Sequence, residues 1–285
     1  MSCFFGMEGF RLFTIFILAL CSWQVGASKI HSDVDSLKIR KDHVDVAEIS
    51  LADLVTKNTV QILPFEDPIA KKKIWYKVVS LDSVLRPFIK SGPSELTLVE
   101  VICADGYRPQ LPISVLEHFD GYIAMAREDR AHFALNRSKD GREIKLAPYY
   151  LVWKPKKGRP FLKYSPSQWS YQVVGLHLMS AVGAQKNTLP EAKKGGSFEQ
   201  EGKALFAKHC FSCHALDGVG GQVGPDLLKP LPATERYSSD WLERWINDPQ
   251  SLRADSKMVG LKQSYPDVKK RRSAAQKILS YLNAL

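Results

Sequence analysis

Short runs with apolar residues at alternate positions crowd residues 58–182, whereas beyond residue 197 the apolar positions fall at helical spacing. The chain therefore divides into two domains of different class. In the first, Thr59-Val-Gln-Ile-Leu63 is β-rich and stops at Pro64, and residues 73–79 alternate as a second strand. Ser80 is placed to cap a helix over residues 81–89, with Leu81, Val84, Leu85 and Phe88 on one face and Ser91-Gly92-Pro93 as its end. Residues 95–103 form the strongest strand signal. Asp105-Gly106 supplies a turn, after which residues 107–113 return as its partner. A short helix around 114–119 and strands at 121–126, 149–153 and 171–178 complete an α+β, β-dominated domain over 58–182. The charged stretch 127–142 is expected to be exposed, and 154–170 to be a long loop.

The remaining segments lack such order. Residues 28–57 are polar with weak periodicity and read as an extended lead-in, within which Ser50-Leu-Ala-Asp53 can open a short helix. Residues 183–197 have no periodicity and read as a flexible linker. At the N-terminus, Arg11 precedes an apolar run from Leu12 to Cys21, and Val25-Gly26-Ala27 offers small residues before Ser28. That is the form of a signal peptide over residues 1–27, too short and too poorly flanked for a membrane span. Membrane association is then expected only through an uncleaved N-terminal segment. The mature chain would be exported.

The all-α domain, 198–285, is built around Cys210-Phe-Ser-Cys213-His214. Two thiols two residues apart can each add across a vinyl group of one haem, and the following histidine can supply an axial nitrogen. Ser197 is placed to cap a preceding helix with Gly202, Leu205 and Phe206 on one face, and Cys210 and Cys213 on its last turn. A glycine-rich loop, Asp217-Gly-Val-Gly-Gly-Gln-Val-Gly224, lets backbone pass close to a flat ligand. Cys-x-x-Cys-His also occurs as half a zinc site or a redox dithiol, but no further Cys or His follows at zinc spacing. For a second axial ligand the domain offers His209 and Met258 besides His214. His209 adjoins Cys210 on the attachment helix and cannot reach the far face, which leaves Met258, after the amphipathic Trp241-Leu-Glu-Arg-Trp-Ile-Asn-Asp-Pro249. Thioether ligation favours ferrous iron and closes the sixth position, which suits electron transfer. Finally, residues 273–285 carry an apolar stripe that should cross the first helix near Gly202.

Charge and cysteine count refine this picture. The net charge is +10, with 26 Lys/Arg against 19 Asp/Glu in residues 28–194 and 13 against 10 in 195–285. A basic surface spread over both domains suits docking to acidic redox proteins. No nucleic-acid motif or aromatic-studded basic face accompanies it. Lys269-Lys-Arg-Arg272 is a candidate docking patch or a solvated helix start. After removal of Cys3 and Cys21 with the signal, Cys103, Cys210 and Cys213 remain, too few for a disulfide framework.

The block from Gly202-Lys-Ala-Leu-Phe206 through Cys210-Phe-Ser-Cys-His214 to Gly224-Pro-Asp-Leu227 resembles class I cytochrome c over about 90 residues. The resemblance implies one covalent haem c, a Pro225 carbonyl accepting a hydrogen bond from the axial histidine, a methionine ligand on a loop like that of Met258, and bacterial export to the periplasm. Val259 stands where family members often have proline. A looser resemblance links Asp105-Gly-Tyr-Arg-Pro-Gln-Leu-Pro112, Gly121-Tyr-Ile-Ala-Met-Ala126, Ala147-Pro-Tyr-Tyr-Leu-Val152 and Trp169 to part of a sulfite-oxidase-type molybdopterin domain. No stretch matches that family's pterin-phosphate residues. By register Cys103 falls outside the metal-binding position and reads as a packed strand residue. The expectation is thus an exported monohaem electron carrier whose β-rich domain docks a partner. A molybdenum-dependent sulfite-dehydrogenase-like enzyme with Cys103 on the metal is the alternative, and a haem sensor in which Met258 dissociates is a third.

Overall fold

The computed structural model describes residues 36–89, 96–138, 140–156, 169–193 and 195–285. The signal segment 1–27, the helix stop at 91–93 and most of the 154–170 loop lie outside the described residues.

The described part of the supposed lead-in, residues 36–57, holds regular structure. β1 (Ser36–Lys41) and β2 (Val44–Ser50) form a hairpin, followed by α1 (Leu51–Lys57). Ser50 Oγ accepts from the Asp53 N–H at 3.0 Å, an N-cap the local sequence announces. The strands were not legible because β1 has only Leu37 and Ile39 facing inward, and β2 is an edge with Val44 and Val46 exposed.

β3 (Gln61–Asp67) runs through Pro64 instead of stopping there, pairing it opposite Trp75 of β4 (Lys72–Ser80). Because β3 lies at a sheet edge, a residue without an N–H is tolerated. In β4, Ile74, Tyr76 and Val78 are buried between exposed Trp75 and Lys77, the half-buried alternation read from the sequence. α2 (Leu81–Ile89) buries Leu81, Val84 and Leu85. β5 (Leu96–Cys103) follows as expected; the regular part of its partner, β6, shortens to Gln110–Pro112, but after Gly106, whose φ is +89°, the Tyr107 and Pro109 carbonyls still accept from the Cys103 and Val101 N–H groups at 3.0 and 2.9 Å. α3 (Val115–His118) leads into β7 (Phe119–Arg127).

The charged stretch after β7 is not simply exposed. It holds a ribbon of β8 (Ala134–Asn136) and β9 (Glu143–Lys145), and Arg127 is buried, its guanidinium paired with Asp129 and donating to the Ala134 carbonyl at 2.9 Å. β10 (Tyr150–Pro155) and β11 (Val173–Ser180) complete the region.

Two sheets result, in the orders β2-β1-β11-β5-β6 and β10-β7-β4-β3. β1 lies parallel to β11, with Lys38 opposite Gly175, and the other pairings within the two sheets are antiparallel. One apolar cluster joins both sheets. Inside it the Asp67 carboxylate accepts from Tyr76 Oη at 2.9 Å, Tyr150 Oη at 3.0 Å and the N–H groups of Ile69 and Ala70, both at 2.8 Å. Four donors satisfy a charge that would otherwise be costly to bury.

The 183–197 stretch is corrected from linker to packed structure. α4 (Ala181–Lys186) occupies its start, capped where Ser180 Oγ accepts from Gly183 N–H at 3.0 Å. Leu189 is buried in a second apolar cluster, the Pro190 carbonyl accepts from Tyr281 Oη at 2.7 Å, and Lys193 N–H donates to Ala284 O at 2.8 Å.

The second cluster belongs to the helical region. α5 (Ser197–His209) starts one residue earlier than expected, with Gly196 and not Ser197 at the cap, the Glu199 carboxylate accepting from Gly196 N–H at 2.8 Å. A small ribbon, β12 (Ala215–Leu216) with β13 (Val219–Gly220), then α6 (Ala233–Arg236), α7 (Ser239–Asn247) and α8 (Pro249–Leu252) follow. α9 (Val268–Asn283) closes the domain and takes the basic run 269–272 into its first turns. α9 crosses α5 at Gly202, where a Cβ would fall on the Lys277 carbonyl and lie 2.9 Å from Tyr281 Cβ. Among the described residues no helix is long and apolar enough to cross a membrane.

Candidate haem-attachment site

α5 ends at His209, so Cys210 and Cys213 lie just beyond it in a tight turn. In that turn the Cys213 and His214 N–H groups donate to the Cys210 carbonyl at 3.0 and 2.9 Å. Phe211 points inward and is buried, which anchors the turn on the helical core and leaves Cys210, Cys213 and His214 partly accessible. All three described cysteines are free thiols. Burial pushes the Cys210 thiol up to about 12, and Cys213 adds to it. The Cys213 thiol rises to about 11, first by burial and then by the Asp105 carboxylate. Cys103, by contrast, ends β5 with 4% of its surface exposed, and burial drives its thiol far upward.

His214 Nδ1 lies 2.8 Å from the Pro225 carbonyl oxygen. A carbonyl only accepts, so Nδ1 carries the proton and Nε2 keeps its lone pair. Nε2 has no hydrogen-bond partner among the described residues. Burial lowers the imidazole pKa, and the Pro225 bond partly offsets it. The glycine loop presses on this ring: a Cβ on Gly224 would stand 2.6 Å from His214 Nδ1 and 2.8 Å from Nε2. Asp226 holds the loop, its carboxylate accepting from the N–H groups of Asp217, Gly218, Leu228 and Lys229.

Met258 is half-buried at the margin of the same cluster that Cys210 borders. Gln250 Nε2 donates to the Met258 carbonyl at 2.8 Å and to Ser256 O at 2.9 Å, which fixes the loop without the proline that Val259 replaces. His209 Nε2 lies 3.2 Å from Tyr265 Oη, on the helix preceding the thiols. Val223, Leu231 and Val259, on the segments flanking these residues, are apolar and exposed. Two thiols, an oriented imidazole with a free Nε2, a thioether and uncovered apolar side chains together fit a covalently held haem. Among the described residues no three His, Cys, Asp or Glu side chains gather as a metal-ion site.

Sequence reasoning missed one neighbour of this site. The 105–108 turn of the β-rich region lies on the attachment turn, with Arg108 N–H donating to Ser212 O at 2.9 Å and Gln222 N–H donating to Gly106 O at 2.8 Å. Only Gly106 hints at it, since a Cβ there would sit 3.0 Å from the Gln222 carbonyl carbon, and a turn glycine has no such meaning in isolation. His177 is buried, with Nδ1 3.4 Å from Glu100 Oε2 and Nε2 on the Asp42 carbonyl.

No curated protein matches the chain. Residues 199–285 match the family model described as Cytochrome c, so the C-terminal helical region is a cytochrome c domain, with haem c as its cofactor and haem-based electron transfer as its function.

Proposed function

We propose that the chain is an exported monohaem c-type cytochrome that transfers single electrons, with Cys210 and Cys213 as thioether anchors and His214 and Met258 as axial ligands. The observation that carries this reading is the 2.8 Å contact from His214 Nδ1 to the Pro225 carbonyl, immediately after the two thiols. That bond orients the ring, strengthens Nε2 as a donor and leaves it directed away from the backbone that holds it. When bound, haem supplies an iron that cycles between ferric and ferrous states by one electron. The chain holds Met258 in place through Gln250, and its soft sulfur would favour the ferrous state and keep small ligands from the iron.

Export to the periplasm rests on the Arg11-led apolar run and on the small residues before Ser28. The net charge of +10 supports encounter with an acidic redox protein, and the β-rich region is assigned to partner recognition. Electron transfer to such a partner should slow as salt rises.

The test is spectroscopic. A pyridine haemochrome of the purified protein should show one haem with two thioether links per chain. Oxidised wild type should carry the weak far-red thioether-to-iron band, and Met258→Ala should lose it. A band that survives in Met258→Ala removes Met258 as ligand. N-terminal sequencing of the exported protein should begin at Ser28, and retention of Met1 in a cytoplasmic fraction would remove the export reading.

A further inference from the structure

We propose that the 105–108 turn of the β-rich region is a built-in cap on the thioether edge of the haem, with Asp105 the carboxylate that tunes the iron's potential from that edge. This deepens the reading above and rests on it, because it names the chain's own attachment turn as what this part of the β-rich region docks.

The contact is backbone to backbone. Ser212, between the two haem-bearing cysteines, gives its carbonyl to Arg108 N–H at 2.9 Å, and Gln222, in the glycine loop, gives its N–H to Gly106 O at 2.8 Å. Two such bonds, one to each segment that encloses His214, clamp the turn to the site from both sides. Gly106 eases the approach, since its φ of +89° is strained for any residue with a side chain and an added Cβ would stand 3.0 Å from the Gln222 carbonyl carbon. The turn is itself rigid: Asp105 Oδ1 accepts from Tyr107 N–H at 3.0 Å, and Cys103 N–H donates to Tyr107 O at 3.0 Å. Arg108 Nε is buried without a hydrogen-bond partner among the described residues.

Three consequences follow for the cofactor. The turn would hinder solvent and small reductants at the edge beside Cys213, so electrons would pass more readily by another face. A haem held there would have more protein beside that edge than a free cytochrome domain would give it. The Asp105 carboxylate, exposed on this turn, would favour the ferric state to the extent that solvent leaves its charge unscreened, because the oxidised iron carries one more positive charge.

The test uses the full-length haem-loaded protein. In wild type the amides of Arg108 and Gln222 should be protected from hydrogen exchange. In Gly106→Val both should exchange roughly 10- to 100-fold faster, the equivalent of one or two hydrogen bonds, while amides of β4 and α9 stay unchanged. Reduction by ascorbate should speed up in the same variant. Asp105→Asn, which keeps the backbone clamp, should raise the midpoint potential and leave amide exchange as in wild type. A wild type without haem overturns the parent reading and this one with it. A haem-loaded wild type whose Arg108 and Gln222 amides exchange at unprotected rates overturns the cap alone, and an unchanged potential in Asp105→Asn overturns the tuning role.

Discussion

His214 shows how much chemistry one residue takes from its immediate backbone. Pro225 O fixes its tautomer and Gly224 fits its face, while Asp226 keeps both in position by accepting four backbone N–H groups. Partial burial pushes the Asp226 carboxyl up, but those four donors outweigh it and hold its pKa below the usual carboxylate value. The sign is that of a depressed acid: the stabilisation is fully present above the ordinary pKa near 4 and is lost as pH falls through the lower folded value. Urea unfolding of wild type should therefore weaken below about pH 4 more steeply than that of Asp226→Asn, whose amide cannot lose a charge. Equal slopes in the two proteins would remove Asp226 as the acid-sensitive clamp of the loop.

Among elements, the crossing of α5 and α9 carries the helical region, because Phe206, Ile278, Tyr281 and Leu282 bury their side chains there. In an ordinary helix interior, alanine in place of glycine adds about 1 kcal/mol. At Gly202 the added carbon would meet the Lys277 backbone. Gly202→Ala should therefore cost about 1–3 kcal/mol in chemical denaturation, the range for overpacking; a gain in stability would show that the helices can separate freely. The Arg272–Glu243 ion pair bridges the α7–α9 contact, with Glu243 largely covered but Arg272 on an exposed arm, so it contributes less than the apolar crossing.

For the whole molecule, residues 187–193 and the 105–108 turn make the β-rich and helical regions mechanically continuous. Leu189 sits in the helical core although it follows the last β-region helix. Leu189→Ala should lower stability by about 2–4 kcal/mol, read as a drop in the melting of the helical signal, whereas a free tether would lose nothing. What the sequence alone determined is what depends on near neighbours. The Cys210-Phe-Ser-Cys-His214 spacing, the change from alternation to helical period, the Ser50 cap and the small residue at Gly202 are each legible within a few positions. The helical region and its cofactor class followed from them. Tertiary structure alone decided the parallel seating of β1 on β11, the passage of β3 through Pro64 at an edge, the packing of Leu189 and the contact of Gly106 and Arg108 with Gln222 and Ser212. These join residues about 100 or more positions apart, or depend on which edge of a sheet stays open. A local pattern carries no information about a partner that distant, because the energy of such contacts exists only once both segments are folded.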